Sequence, residues 1–197
     1  SFISILLISI YLLSLYSKNI LFIFVTLLYF IIIYEIYMKF KKYFRYIFSY
    51  LILSYLSFIL FFIQYFNYNL INILVFTIIL FDSFSYIIGI TYGKNYIFKK
   101  ISPKKTLEGY IGGFILTNII FLIYFHFMII NFNLLDLLLL INLIIIISIF
   151  GDLVQSFFKR KNNIKDSSKL LPGHGGFFDR FDSFISSIIF VLFYSIF

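Results

Sequence analysis

The stretch LLLLINLIIIISIFGDLVQSFFKRK, residues 137–161, decides the fold class of this chain. Its first fourteen residues carry no charge, an aspartate follows at position 152, and three basic residues close the stretch. An apolar run of this length crosses a bilayer as a helix, because backbone groups in lipid must bond within their own segment. The strict alternation of a barrel strand is absent. The sequence therefore predicts a transmembrane helix over 137–158.

Similar apolar runs extend along the whole chain. Of its 197 residues 62% are hydrophobic and 12% are charged, with a mean hydropathy of +1.05, whereas a soluble domain carries about 25% charged residues. Besides 137–158, spans are predicted near 1–16, 20–38, 46–65, 70–91, 110–130 and 183–197. We expect an all-α, polytopic integral membrane bundle of six to seven transmembrane helices, forming one domain over 1–197. The first residue is Ser, so we expect the run at 1–16 to be the remainder of a longer span.

Basic residues are concentrated in alternate loops. They account for 15 of the 16 Lys and Arg and comprise Lys39, Lys41, Lys42, Arg45, Lys94, Lys99, Lys100, Lys104, Lys105, Lys159, Arg160, Lys161, Lys165, Lys169 and Arg180. By the positive-inside rule these loops face the cytoplasm. Their distribution over a lipid-embedded bundle argues against nucleic-acid binding. The charge either reflects topology alone or gathers an anionic substrate.

Acidic residues lie on the same side as the basic loops. Seven of the eight occur in or beside the predicted cytoplasmic halves, and only Asp136 lies on the outer side. An acid inside a span costs about 2.5–3.5 kcal/mol on insertion scales, so each is a candidate for function. Asp82, Asp152 and Glu35 outline a polar funnel that opens to the cytoplasm. The alternative is that each acid only pairs with a buried polar group to fix packing.

Two segments carry the residues that suit a metal and a phosphate. In GDLVQSFFKR, Asp152, Ser156 and Lys159 are spaced four and three residues apart, on one helical face. In PGHGGFFDRFD, residues 172–182, the glycines allow backbone N–H groups to approach an anion. Asp179 and Asp182 start the next helix as a carboxylate pair for a hard divalent cation. His174 is either a phosphate donor or only a turn residue.

A third segment, ISPKKTLEGYIGG at 101–113, offers hydroxyl and ammonium groups. Ser102, Lys104, Lys105 and Thr106 precede Glu108 and three glycines. The glycine spacing is not that of a Walker P-loop. The donors nevertheless suit a polyphosphate.

Residues 156–182, SFFKRKNNIKDSSKLLPGHGGFFDRFD, resemble the signature of the phosphatidate cytidylyltransferases, also called CDP-diglyceride synthases. The signature elements present are Ser156, Lys159, Arg160, Lys165, Asp166, His174, Gly175, Gly176, Asp179, Arg180 and Asp182. The segments at 82–95 and 101–113 also look like blocks of that family, and the similarity covers about residues 35 to 183. The chain departs from the family in having Leu107 where Trp is usual and Gln155 where an acid is common. It is also shorter at its start.

The resemblance implies an enzyme that transfers a cytidylyl group from CTP to phosphatidic acid, giving CDP-diacylglycerol and pyrophosphate in phospholipid biosynthesis. It implies Mg²⁺, with a second cation as an open alternative, and a bacterial inner-membrane location with the site on the cytoplasmic side. We expect Asp152, Asp179 and Asp182 to bind the metal. The expected catalytic residues are Ser156, Lys159, Arg160, Lys165, Asp166 and Arg180, and the expected substrate-binding residues are Asp82, Ser102, Lys104, Lys105, Thr106, Glu108, Gly173, His174, Gly175 and Gly176.

Two other functions stay open at this point. One is a CTP-dependent transferase that acts on another lipid phosphate or on an isoprenoid alcohol. The other is a membrane transporter, which would also place acids within the membrane. A transporter predicts acids in both membrane halves and internal repeats, whereas the acids here crowd one side. A homodimer is a further expectation that the sequence leaves open.

Overall fold

The computed structural model describes Tyr11 and residues 17–127, 133–168, 170–171 and 175–196, with the side chains at 125–127 left out. Six long helices follow one another in this part of the chain. They are α1 (Lys18–Lys39), α2 (Phe44–Gln64), α3 (Tyr68–Tyr92), α4 (Leu107–Phe127), α5 (Leu134–Lys161) and α6 (Phe178–Ile196). The predicted all-α class is confirmed. The span predicted at 1–16 lies outside the described residues, apart from the helical Tyr11.

Five helices, α1 to α5, are long and apolar enough to cross a membrane, as expected for an integral membrane protein. Helix α6 begins with a charged turn that contains Asp179, Arg180 and Asp182. The span predicted at 183–197 is therefore the apolar part of a helix that starts five residues earlier. An acid in the first turn is compatible with a helix start, because the N-terminal end of a helix favours negative charge.

Helix packing places the ends of α5 and α6 side by side. Helices α3 and α4 pack extensively against each other, as do α5 and α6, and α6 also packs against α2. At Gly151 of α5 a Cβ atom would lie 2.8 Å from the carbonyl oxygen of Asp182 and would meet the Ser186 hydroxyl. Only a residue without a side chain allows this approach. Gly151 therefore brings the aspartate that follows it, Asp152, close to Asp182.

The three basic loops lie at one end of the bundle. The loop between α1 and α2 bonds to the end of α5, where the Lys42 amide donates to Asn162 Oδ1 (2.7 Å) and Asn162 Nδ2 donates back to the Lys42 carbonyl (3.0 Å). The loop between α3 and α4 contacts the same end of α5, because Arg160 Nε donates to the Ile101 carbonyl (3.1 Å). The sequence-based grouping of these loops on one side is confirmed.

Candidate active site

Asp179, in the first turn of α6, is the best-bonded carboxylate at this end of the bundle. Its Oδ1 accepts from Lys159 Nζ (2.8 Å) and from Gln155 Nε2 (3.0 Å). Its Oδ2 accepts from the backbone N–H groups of Ser167 (2.7 Å) and Gly176 (3.0 Å), and Ser167 Oγ lies 3.1 Å away. A carboxylate has about four lone-pair sites. Asp179 is thus fully bonded by groups of the protein itself.

The ion pair between Lys159 and Asp179 is nearly closed to solvent. The two side chains are 12% and 10% exposed. Removing one partner of such a pair leaves a buried charge without compensation, which typically costs about 3–5 kcal/mol. This pair therefore ties the C-terminal end of α5 to the N-terminal end of α6.

Glu35 of α1 fixes the other side of the segment that leads into α6. Its carboxylate, in a residue only 1% exposed, accepts from Ser168 Oγ (2.6 Å), Phe177 N–H (2.8 Å) and Phe178 N–H (2.9 Å). Ser167 Oγ lies 3.0 Å from its Oε2. Of the two readings that the sequence left open for Glu35, the structure supports packing. The carboxylate binds donors of the protein and holds the signature segment in place.

Asp152, near the end of α5, is paired with Lys105 of the loop between α3 and α4. Burial by itself lowers the pKa of the Lys105 ammonium, but the Asp152 carboxylate outweighs this effect and raises it above that of an ordinary lysine. The ammonium also lies 5.7 Å from the ring centroid of Tyr110, at cation–π range. Lys105 is therefore charged and held inside the site rather than extended into solvent.

Two further acids, Asp82 and Asp182, interact electrostatically with this ion pair. Asp82, Asp152 and Asp182 are close enough to repel one another, and Lys105 attracts each of them. Asp182 is buried, and its Oδ1 accepts the N–H of Ser183 (2.8 Å). Acidic groups outnumber the one ammonium here, so carboxylate oxygens are in excess.

The predicted metal ligands do not form a ready-made set. Within the described ranges no three carboxylate or imidazole groups converge so that they could hold a metal ion. Asp179 would first have to release some of its five donors. By contrast, the excess of hard oxygen donors around Asp152 and Asp182 has the chemistry that Mg²⁺ prefers, so these two residues fit the predicted metal.

The loop that follows α3 is clamped to the start of α4. Glu108 accepts from the backbone N–H groups of Lys94 and Asn95 (both 3.1 Å to Oε2) and from the Asn95 side-chain amide (2.7 Å to Oε1). The buried Thr106 hydroxyl accepts from the Gly109 N–H (3.2 Å) and caps α4. Both residues hold the loop, and their predicted contacts with substrate stay predictions.

The remaining predicted residues differ in how they are placed. Ser156 is buried, Ser102 and Gly175 are half-buried, and the exposed ones are Lys104, Arg160, Lys165, Asp166 and Arg180. Arg160 also bonds the Ile164 carbonyl through Nη1 (3.4 Å), so it joins two loops of the site. The Gly176 N–H, predicted to approach an anion, binds the Asp179 carboxylate. Gly173 and His174 lie outside the described residues.

Gln155 and Ser167 are functional-site residues that the sequence reasoning missed. The Gln155 amide donates to Asp179, which a carboxylate could not do. Its Oε1 is buried and has no hydrogen-bond partner among the described groups. Ser167 belongs to the pair of serines after Lys165 and Asp166, and that pair of neighbouring hydroxyls was the available signal.

An apolar groove lies beside the signature segment. It has a volume of about 480 Å³ and is lined by Phe30, Ile31 and Tyr34 of α1 and by Leu170 and Phe177. Phe177 directly follows Gly176, whose N–H binds Asp179. The groove thus leads along a membrane-spanning helix to the polar site.

The chain is similar to a known protein family and to individual proteins. The model of the family described as "Cytidylyltransferase family" matches residues 1–197. The phosphatidate cytidylyltransferase of Staphylococcus haemolyticus is 49% identical over 109 residues, which cover 54% of this chain and 41% of the relative. That of Haemophilus influenzae is 38% identical over 120 residues, covering 59% of this chain and 42% of the relative.

The matched segments thus cover about two-fifths of these relatives. The family match, in contrast, extends over the whole chain. It includes the helices that carry Glu35, Asp152 and Asp179, which meet at one end of the bundle. On this ground the chain is a member of the cytidylyltransferase family.

Proposed function

We propose that the protein is a CTP:phosphatidate cytidylyltransferase, which forms CDP-diacylglycerol and pyrophosphate from CTP and phosphatidic acid. One observation carries the proposal. Two ion pairs that join different segments of the chain, Lys105 with Asp152 and Lys159 with Asp179, lie at one end of a membrane bundle, which also has an apolar groove. The names of the relatives support the same activity. A transporter has less support, because the acids lie together at that end.

The reaction needs charge neutralisation more than it needs a general base. The nucleophile is a phosphate oxygen of phosphatidate, whose second pKa is about 6, so it is largely ionised at neutral pH. It must approach a triphosphate that is itself strongly negative. Stabilisation by positioned positive groups is therefore the main source of catalysis. The exposed edge of the site carries Arg160, Lys165 and Arg180, which are suited to bind these phosphates. Lys159 lies further inside and adds positive charge there.

Mg²⁺ would be held by Asp152 and Asp182, with Asp179 as the predicted third ligand and Asp82 next to them. A bound divalent cation supplies charge neutralisation to phosphate oxygens and orients them. The protein's part is to bring carboxylate oxygens to one end of the bundle, where a cation would offset their mutual repulsion. The buried Oε1 of Gln155 is one more hard oxygen at this place.

The lipid substrate would reach the site from the side. Its acyl chains would occupy the groove lined by α1, Leu170 and Phe177, while its phosphate meets the charged end of the bundle. We infer a bacterial inner membrane with this end of the bundle in the cytoplasm. The reason is that the basic loops lie at this end and basic loops face the cytoplasm. Ser102, Lys104 and the glycines of the signature would bind the nucleotide. A homodimer stays a prediction.

Incorporation of label from CTP into lipid tests the activity directly, with α-phosphate label to follow cytidylyl transfer and γ-phosphate label to follow phosphoryl transfer to an alcohol. We expect membranes that carry the protein to form labelled CDP-diacylglycerol with phosphatidate and to form no labelled lipid with a polyprenyl alcohol. Membranes from cells without the protein are the control. Label that appears only with the polyprenyl substrate would assign the chain to the other transferase reaction. No label with either lipid would contradict a transferase.

Removal of divalent cations tests the metal assignment. In the phosphatidate assay, we expect EDTA to reduce labelled product to the level of the control membranes, and added Mg²⁺ to restore it. The reason is that two neighbouring carboxylates without a cation repel the triphosphate rather than bind it. Full incorporation in the presence of the chelator would contradict a divalent cation at this site.

A further inference from the structure

The buried carboxylate of Glu35 meets four hydrogen-bond donors. It lies at the end of a membrane-spanning helix, and all four donors that meet its carboxylate are neutral. Two of them are backbone N–H groups, those of Phe177 and Phe178, at the point where α6 begins. Each oxygen receives one backbone donor and one serine hydroxyl. The carboxylate therefore fixes the position and the direction of the first turn of α6.

Ser167 connects Glu35 to Asp179. Its Oγ lies 3.0 Å from Glu35 Oε2 and 3.1 Å from Asp179 Oδ2, while its backbone N–H donates to Asp179 Oδ2 at 2.7 Å. A hydroxyl has a single hydrogen, so it can donate fully to only one carboxylate at a time. The two acids are thus coupled through one side chain.

Gly176 makes a second connection between the two acids. Its N–H donates to Asp179 Oδ2 at 3.0 Å. On its other side, an added Cβ atom would lie 2.6 Å from Glu35 Oε2. The backbone at this glycine is held between both carboxylates, and a displacement of Glu35 would move a donor of Asp179.

We propose that Glu35 is a positioning residue for cytidylyl transfer. It acts through Ser167 and Gly176 and orients the Asp179 carboxylate towards Lys159. This inference rests on the proposed transferase activity. Glu35 itself is buried and does not touch the substrates, so its substitution changes the rate of the reaction rather than the binding of CTP.

Glutamine is the informative substitution at Glu35. In either orientation of its amide, the NH₂ group faces one of the two backbone N–H groups, of Phe177 or of Phe178, and cannot accept from it. The serine hydroxyls can rotate, but a backbone donor cannot. The start of α6 must then shift, and Asp179 shifts with it.

The two neighbouring serines provide a matched pair of variants. Ser167→Ala and Ser168→Ala each remove one hydroxyl next to Glu35, but only Ser167 reaches Asp179. Among the described residues, Ser168 Oγ also accepts the N–H of Leu170 (3.1 Å). We therefore expect Glu35→Gln and Ser167→Ala to lower kcat about tenfold or more, because a small displacement of an aligned group is costly. We expect KM for CTP to stay within about twofold of the parent, and Ser168→Ala to keep its kcat within about twofold.

Hydrogen exchange, followed by mass spectrometry on the purified protein, provides a readout without substrates. Faster exchange at residues 176–180 is expected in Glu35→Gln and Ser167→Ala, and in Ser168→Ala only at 168–171. Equal kcat values for the two serine variants would overturn the proposal. A Glu35→Gln protein that unfolds at a lower temperature, but whose folded fraction has the parental kcat, would also overturn it.

The parent protein distinguishes a failure of the proposed activity from a failure of the proposed role of Glu35. If it forms no labelled lipid at all, the proposed activity has failed. The exchange pattern then still decides whether Glu35 orients Asp179. Should Glu35→Gln fail to fold, the comparison of the two serine variants remains decisive.

Discussion

Asp179→Asn is expected to lower the turnover of CTP and phosphatidate by more than about a hundredfold, the range seen when a strong electrostatic contribution is removed. The asparagine oxygen can replace Oδ2 and keep the bonds from Ser167 and Gly176. Its amide then faces Lys159 and Gln155, which are both donors. Lys159 loses its counter-charge, and the predicted metal ligand is lost at the same time. Labelled CDP-diacylglycerol formation in membranes measures the effect.

The control for this variant is Asp136→Asn. Asp136 is also an aspartate in the first turn of a helix, but it is exposed at the opposite end of the bundle, where it accepts from Asn133 Nδ2 (3.2 Å). The turnover of the Asp136→Asn variant should equal that of the parent. Elution as a single species in detergent checks that both variants are folded. An Asp179→Asn protein that works at near the parental rate would remove Asp179 from the site.

Lys159→Met is expected to lower both stability and turnover. The methionine keeps the apolar length of the side chain but leaves Asp179 with neutral donors only. The Lys159 and Asp179 side chains are 12% and 10% exposed, so water compensates little for the lost charge. We expect a loss of about 3 kcal/mol in the free energy of unfolding and a fall in turnover of about a hundredfold. The midpoint of thermal unfolding and the labelling assay measure the two effects.

Lys161→Met serves as the comparison on the same helix. Lys161 is exposed, and its ammonium lies over the ring of Phe157 at 5.4 Å, so its removal should cost less than about 1 kcal/mol. If both lysine variants unfold at the same temperature, the pair formed by Lys159 is not an important contact. If Lys159→Met is less stable but fully active, the lysine has only a structural part.

Much of the fold could be predicted because hydropathy reports directly on membrane spans. The predicted runs 46–65 and 70–91 agree with α2 (Phe44–Gln64) and α3 (Tyr68–Tyr92) within two residues at each end. The predicted span 183–197, in contrast, misses the first five residues of α6. Asp179 and Asp182 break the apolar run there, although their spacing did predict that they begin a helix.

The candidate site was predictable as a set of residues but not as a set of contacts. Spacing correctly put Asp152 and Lys159 on one side of α5, yet they have different partners, Lys105 and Asp179. Partners that lie 47 and 20 residues away depend on how helices pack, and spacing along one helix carries no information about that. The same reason hides the bonds of Glu35, whose donors are more than 130 residues distant.

That distance has a consequence for biogenesis. Glu35 is synthesised 132 to 143 residues before the groups that bond it, which at about 5–20 residues per second is a delay of roughly 7 to 30 s. During this interval α1 must be integrated with a carboxylate that has none of its final donors. A nascent chain therefore carries an unpaired carboxylate in α1 until residues 167–178 have been synthesised and have packed against it.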